Sequence, residues 1–421
     1  MSFGIALSGL DAAQSDLNVT ANNIANSATT GFKSSNSNFA ELFAVSPSGV
    51  SNTQIGNGVQ LQSVEQQFSQ GDIQTTGNSL DMALSGNGFF TVSSNGATQY
   101  TRAGSFQTNA NGEVVNSAGQ NLQVYSPTAA GGFNTTSLTN LVIPTGDSAP
   151  AASTTASMTF NLPAGSTAPT ATPFNPANAN SYNQSTSMTL YDSLGAAHTA
   201  TMYYVSTGGS TWDAYEYIDG AAVNGPVAGA PNPVKLTFSN SGALTGVVDA
   251  AAGTNADAVN FGAYTPTTGA AAMNVTFNLS SATQFGNSFG VTSVTQNGFT
   301  TGQLSGVSVS ASGVVQANYT NGQSNSLGQV AVANFPDQQA LQQVANTNWV
   351  QTFASGQPVY GAAGGAGFGN IESGSLEESN VDITAQLVNM ITAQRAYQAN
   401  AEMVSTENSI TQTTINIPNQ Q

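Results

Sequence analysis

The chain has 421 residues, enough for two or three domains, and only 6 % of them are Asp, Glu, Lys or Arg, against about 25 % in ordinary globular chains. Its 21 acids face four bases, Lys33, Arg102, Lys235 and Arg395, for a net charge of −17. Binding a polyanion needs clustered Lys and Arg, so nucleic acid is excluded as a partner and anionic membranes are disfavoured. Cysteine is absent, which removes disulfides and thiolate metal sites. No run approaches the ~18 apolar residues of a membrane span, and no Lys or Arg precedes Lys33. Neither membrane insertion nor a cleaved signal peptide is therefore expected.

Residues 2–28 place Phe3, Leu7, Leu10, Gln14, Leu17, Ala21 and Ile24 at alternating spacings of four and three, the seam of a coiled coil, with Gly31 as a stop. Residues 29–70 are rich in Ser, Asn and Gln, with scattered Phe39, Leu42, Phe43, Val59, Leu61, Val64 and Phe68. They read as an extended arm that packs against something else.

Alternating apolar and polar runs follow, punctuated by hairpin turns. Asn95-Gly96 separates Phe89–Ser93 from Thr98–Arg102, and Asn111-Gly112 precedes Glu113–Asn116. Asp192-Ser193-Leu194-Gly195 joins Ser187–Tyr191 to His198–Val205, and Asn240-Ser241-Gly242 joins Lys235–Phe238 to Ala243–Val248. Residues 144–183 hold six prolines and one charge, Asp147, a linker-like entry to a second β domain. Residues 258–336 carry no charge, and Gln284–Phe289 restarts a Gly-punctuated strand pattern, which places the return boundary near Thr283.

Near the C-terminus, Ser379 with Asp382 reads as a capping box, and Glu377, Glu378 and Asp382 favour a helix start. The seam of that helix runs Ile383, Leu387, Met390, Gln394, Tyr397, Ala401, Val404, Asn408, Thr411 and Ile415. Laid antiparallel to the first helix, it opposes Ile24 with Ile383, Ala21 with Leu387, Leu17 with Met390, Gln14 with Gln394, Leu10 with Tyr397, Leu7 with Ala401 and Phe3 with Val404. The Gln14–Gln394 layer would fix register, and Arg395 would reach Asp11 and Asp16. The fold class expected is mainly β with terminal α-helices: an antiparallel coiled coil plus two antiparallel β domains. The division expected is 1–28 with 379–421 for the helices, 29–70 with 364–378 for the arm, 71–144 with 284–363 for an inner β domain, and 145–283 for an outer one.

No catalytic, cofactor or metal residues are expected. Gly286-Asn287-Ser288-Phe289-Gly290 matches a nucleophile elbow, but the single His198 precedes Ser288 and strand patterns flank it, so it reads as a turn. His198 reads as a half-exposed sheet residue. Asp213, Glu216 and Asp219 read as solvated acids, and Glu377 with Glu378 as a helix start. Gly86-Asn87-Gly88 precedes a strand and offers no phosphate cradle. The sequons are what a chain rich in Asn, Ser and Thr produces by chance.

Ala21-Asn22-Asn23-Ile24-Ala25-Asn26, continuing through Thr29-Thr30-Gly31-Phe32-Lys33 to Phe39, resembles the N-terminal signature of the bacterial flagellar rod and hook proteins. Ser375-Leu376-Glu377-Glu378-Ser379-Asn380-Val381-Asp382, with Ile391-Thr392-Ala393-Gln394-Arg395-Ala396-Tyr397, resembles their C-terminal block. Thr283–Gly286, Gly302–Val307, Asn321–Gln323 and Leu327–Phe335 resemble the inner β domain of hook members. Leu190–Gly195 with His198-Thr199 resembles the outer one. Asn22, Asn23, Ala25, Asn26, Gly31, Phe32, Arg395 and Tyr397 carry the terminal signature.

The resemblance implies export through the flagellar type III apparatus without signal cleavage, an extracellular place in the flagellum, and polymerisation with itself into a curved tube acting as a universal joint. It also implies contacts with the distal rod protein, the hook cap and the hook–filament junction protein. Bending is expected at residues 29–70, 144–157 and 284–286, with the helical layer nearly constant. The alternatives left open are a distal rod protein and, in another class, a secreted β-rich adhesin or cell-wall hydrolase.

Overall fold

A computed structural model describes residues 2–42, 56–223, 232–249 and 258–416; Phe43 of the expected arm lies outside them. The chain forms two compact units, one of Met1–Thr145, Gly306–Asn318 and Ser324–Gln421, the other of Gly146–Ser305 and Tyr319–Gln323.

The first unit holds both helices, α1 (Ser2–Ala25) and α2 (Ile383–Asn416). Its arm is a two-stranded antiparallel ribbon, Ser35–Glu41 with Val59–Gln66. The main sheet is built from antiparallel neighbours such as Phe89–Ser94 with Ala97–Thr101, joined by the expected Asn95-Gly96 turn. Both turn residues have positive φ, 50° and 86°, as this tight hairpin requires. Phe89, Tyr100, Phe335, Leu341 and Trp349 form its aromatic core. The arm joins that core: the Phe68 and Phe89 rings meet edge to face at 5.6 Å, and Trp349 Nε1 donates to Gln66 Oε1 at 2.6 Å.

The second unit is a β-sandwich. One sheet runs Gln184–Tyr191, Ala197–Gly208, Thr211–Ile218, Val234–Phe238 and Leu244–Asp249, all antiparallel. The other places Thr155–Pro163 between Gly290–Gln296 on one side and Met273–Asn278 with Thr283–Phe285 on the other. Alternate residues of both sheets interdigitate, among them Phe160, Met202, Trp212, Leu236, Phe261 and Phe277, as period-2 patterning dictates. Thr155–Pro163 pairs parallel with Met273–Asn278 and with Thr283–Phe285; every other strand pairing in this unit is antiparallel among the described residues.

The return boundary differs from the expected one near Thr283. Thr283–Phe285 pairs with Asn161–Pro163 and Gly290–Gln296 with Ala156–Asn161, so residues 284–305 belong to the second unit. The strand pattern restarts there, as read, but it adds strands to the sheet already begun. Residues 284–285, expected within a pivot, are held in that pairing.

Candidate assembly site at the chain termini

α1 and α2 pack antiparallel. Asn23 Nδ2 donates to Gln386 Oε1 at 3.3 Å, and near the other end Gly9 lies so close to Asn400 that an added Cβ would stand 2.9 Å from its amide atoms. Ala6 and Met403 share a groove between the helices. The fully buried positions differ from the expected seam: on α1 they are Ala6, Ala13, Thr20 and Asn23, and on α2 Ala393. Small side chains let the two backbones approach closely, which the larger seam residues would prevent.

Of the seam residues, Leu10, Leu17, Ile24, Met390, Tyr397, Ala401 and Val404 are half-buried. Leu7, Gln14, Ala21, Ile383, Leu387 and Gln394 are exposed, so the expected Gln14–Gln394 layer is not a buried one. Gln14 Nε2 donates instead along its own helix to Asn18 Oδ1. Arg395 is exposed and makes no ion pair with Asp11 or Asp16 among the described residues.

The N-terminal signature closes a joint. Asn23 exchanges both hydrogen bonds with the backbone of Ser35, at 2.8 and 2.9 Å. Asn26 N donates to Asn22 O, and Asn26 Oδ1 accepts from Thr29 Oγ1. Ala25 ends α1 and is exposed, whereas Phe32 is buried. Gly31, at φ +68°, donates its N–H to Glu377 O, and a Cβ there would stand 2.5 Å from the Ala103 backbone nitrogen.

Beneath this joint lies a buried charge cluster that sequence reasoning missed. Lys33 Nζ donates to Glu377 Oε1 at 2.6 Å and to Ser69 O at 2.8 Å. Arg102 Nη1 reaches Glu377 Oε2 at 3.4 Å and Leu84 O at 3.3 Å. The Gly71 N–H donates to Glu377 Oε1 at 3.0 Å, and the Arg102 guanidinium carbon stands 5.4 Å from the centroid of the Phe89 ring, within cation–π range. Two of the chain's four bases thus meet one fully buried acid. Glu377 is therefore not a helix-start acid: α2 begins at Ile383, capped by Asp382 Oδ1, which accepts from the Thr384 and Ala385 N–H groups. Ser379 accepts from Val381 N instead of capping the helix. The available signal was that Lys33 and Arg102 each stand alone in otherwise uncharged stretches.

A second buried cluster belongs to the sandwich unit. His198 is buried, not half-exposed: Nδ1 lies 2.6 Å from Asp219 Oδ2 and Nε2 3.2 Å from Asp192 Oδ2. Burial alone would lower the imidazole pKa, but the two carboxylates overcome it and hold it above the ordinary value. Asp192 also accepts from Leu194 N, Ala196 N and Thr268 Oγ1; burial opposes, but these bonds and His198 hold it down to about 2. With both ring nitrogens facing carboxylates, His198 has no hand free for a nucleophile. Ser288 is exposed in the bend before Gly290–Gln296. Glu216, expected to be solvated, is buried with Oε1 unpartnered among the described residues, and burial pushes it up to about 8. Among the described residues no His, Asp and Glu cluster could hold a metal, and no helix is long and apolar enough to cross a membrane.

Terminal helices joined antiparallel, an arm held against a β core, apolar side chains left outside and no catalytic constellation among the described residues suit a structural subunit, and the comparisons say of what kind. Residues 3–33 match the family model of the flagella basal body rod protein, and 372–417 that of the flagellar basal body rod FlgEFG protein C-terminal. Residues 83–161 match the flagellar hook protein FlgE/F/G D1 domain, and 161–299 the flagellar basal body protein FlaE D2 domain. The flagellar hook protein FlgE of Escherichia coli K12 is 38 % identical over 423 residues, covering 99 % of this chain and 100 % of that one. FlgE of Borreliella burgdorferi is 31 % identical over 448 residues, covering 98 % of each. The crystal structure of Helicobacter pylori FlgE2 shares the fold, with a TM-score of 0.51 at 14 % identity, over 72 % of this chain and 100 % of that one. The chain belongs to the flagellar hook protein family. It is a structural subunit of the hook and not an enzyme.

Proposed function

We propose that the chain polymerises with itself into a curved, flexible tube that carries motor torque to the filament. It travels through the flagellar type III apparatus without loss of a signal peptide, and its end contacts are the distal rod protein, the hook cap and the hook–filament junction protein. The observation that carries the reading is the terminal helix pair: it buries small residues and leaves Phe3, Leu7, Ile383, Leu387, Val388 and Ile391 exposed. Apolar side chains left exposed in this way mark a surface for neighbouring copies to cover, and head-to-tail contacts that do not close give a helical filament. The division of labour proposed is a helical layer of residues 1–28 and 379–421, an arm of 29–70 and 364–378, and β domains outside them. With so few charges, contacts between copies shift without breaking buried ion pairs, whose rupture costs about 3–5 kcal/mol.

Electron microscopy of flagella from cells lacking the gene tests this, with the full-length chain and a version lacking residues 2–28 returned in turn. Curved hooks restored only by the full-length chain support the proposal. Hooks present without the gene overturn it.

A further inference from the structure

The charge of the chain is unevenly placed: residues 258–336 contain no Asp, Glu, Lys, Arg or His in a chain of net charge −17. Within this stretch the strand Gly290–Gln296 pairs on one side with Ala156–Asn161, and among the described residues no strand pairs with its other side. Residues 290–295 are exposed on both faces of the strand, with Val291 and Val294 at 36 % and 38 %. Natural edge strands are guarded by charge, proline or bulges. Here one bulge falls at Thr292, and Ser293-Val294-Thr295-Gln296 runs on unguarded. On the same sheet Thr155, Ser157, Ala258, Thr276, Thr295 and Asn297 are among the residues that line a groove of about 490 Å³, which has no charged side chain among the described residues of its lining.

We propose that this edge and its groove dock a second copy of the chain in the assembled hook. The inference rests on the reading that the chain polymerises. Electrostatics favours this occupant: copies of net charge −17 repel, and an edge without acids lets two of them meet without desolvating or opposing carboxylates. A basic partner would be drawn to the acidic surfaces and would gain nothing from this one.

The chain has no cysteine, so Val294→Cys supplies a single thiol. Its maleimide labelling is compared in the monomer, in intact hooks and in acid-dissociated hooks. The expected result is labelling at least about tenfold slower in intact hooks than in the other two, the protection a covered site shows. A photo-activatable maleimide at the same thiol should then give a chain-to-chain product. Equal labelling in hooks and monomer overturns the assignment, as does a crosslink to any other protein.

A second variant guards against a local effect of the thiol. Val294→Asp, with thermal melting of the monomer unchanged, should reduce hook number at least about tenfold, since it sets a charge in the interface; hooks in normal number overturn the assignment. Hooks that form without the gene would instead overturn the underlying reading.

Discussion

Lys33 Nζ lies 2.6 Å from Glu377 Oε1 across 344 residues of sequence, tying the segment that follows α1 to the segment that precedes α2. Burial pulls Lys33 below the ordinary lysine pKa, and the Glu377 carboxylate opposes that pull. Removing Glu377 would leave both Lys33 and Arg102 buried without an anion, and breaking such a pair costs about 3–5 kcal/mol. Lys33→Met keeps the Arg102–Glu377 contact and fills the space with an apolar chain, so it should cost less. Urea unfolding of the purified full-length chain should rank Glu377→Ala as the more damaging; the reverse order would deny that Glu377 is the centre of the cluster.

Gly31 and Gly77 both adopt positive φ, +68° and +80°, but their surroundings differ. A Cβ on Gly77 meets open space, whereas on Gly31 it meets the backbone of Arg102 and Ala103. Gly77→Ala should therefore cost only the left-handed strain of about 1–2 kcal/mol. Gly31→Ala should cost more, because backbone cannot swing aside, and should expose the Gly31–Glu377 hydrogen bond to exchange. Equal losses in paired melting curves, or unchanged protection of the Gly31 amide, would contradict the close approach.

The sandwich unit should weaken as pH rises. His198 has a folded pKa raised above 6.5, so its stabilisation is complete below 6.5 and is lost as pH climbs through the raised value. Glu216 moves in the same direction: its folded pKa rises from 4.5 to about 8, so the folded state holds a proton that the unfolded chain releases above 4.5. Each tenfold difference in proton affinity between the folded and unfolded chain is worth about 1.4 kcal/mol, so Glu216 alone would withdraw a few kcal/mol between pH 4.5 and 8. Glu216→Gln should flatten the decline, and His198→Ala should remove a further part of it. A wild-type stability that stays level from pH 5 to 9 would exclude both effects.

The two helices, the hairpins at Asn95-Gly96 and Asp192–Gly195, and the mainly antiparallel β architecture were legible because periodicity and turn chemistry are local. What was not legible depended on long-range partners. The heptad pattern around Leu7 and Leu387 identified helices with a seam, but a seam does not say whether the first partner is intramolecular. Within one chain the contact runs instead through Ala6, Gly9 and Asn23, beside Met403, Asn400 and Gln386. Glu377 looked like a helix-start acid because Lys33 and Arg102, remote in sequence, supply its reason for being buried. His198 looked half-exposed because the carboxylates that hold it come from two different turns.

The two faces of the helix pair give the sharpest separation of folding from assembly. Ala393 is a buried position of α2, so Ala393→Leu inserts volume where there is no solvent to take it, and overpacking of this kind costs about 1–3 kcal/mol. Leu387 is 42 % exposed and Ile383 49 % exposed; truncating either to alanine should move the monomer's stability by only about 0.5 kcal/mol. In assembly the order should invert. Leu387→Ala combined with Ile383→Ala removes apolar area that neighbouring copies would cover, at about 25 cal/mol per Å², and should raise the concentration needed for polymerisation or abolish hooks in cells. Ala393→Leu would reveal itself first in the melting curve of the monomer. A double variant that lowers monomer melting while leaving hook number intact would place the Ile383 and Leu387 side chains inside the folded subunit, and would remove this face of α2 from the contacts between copies.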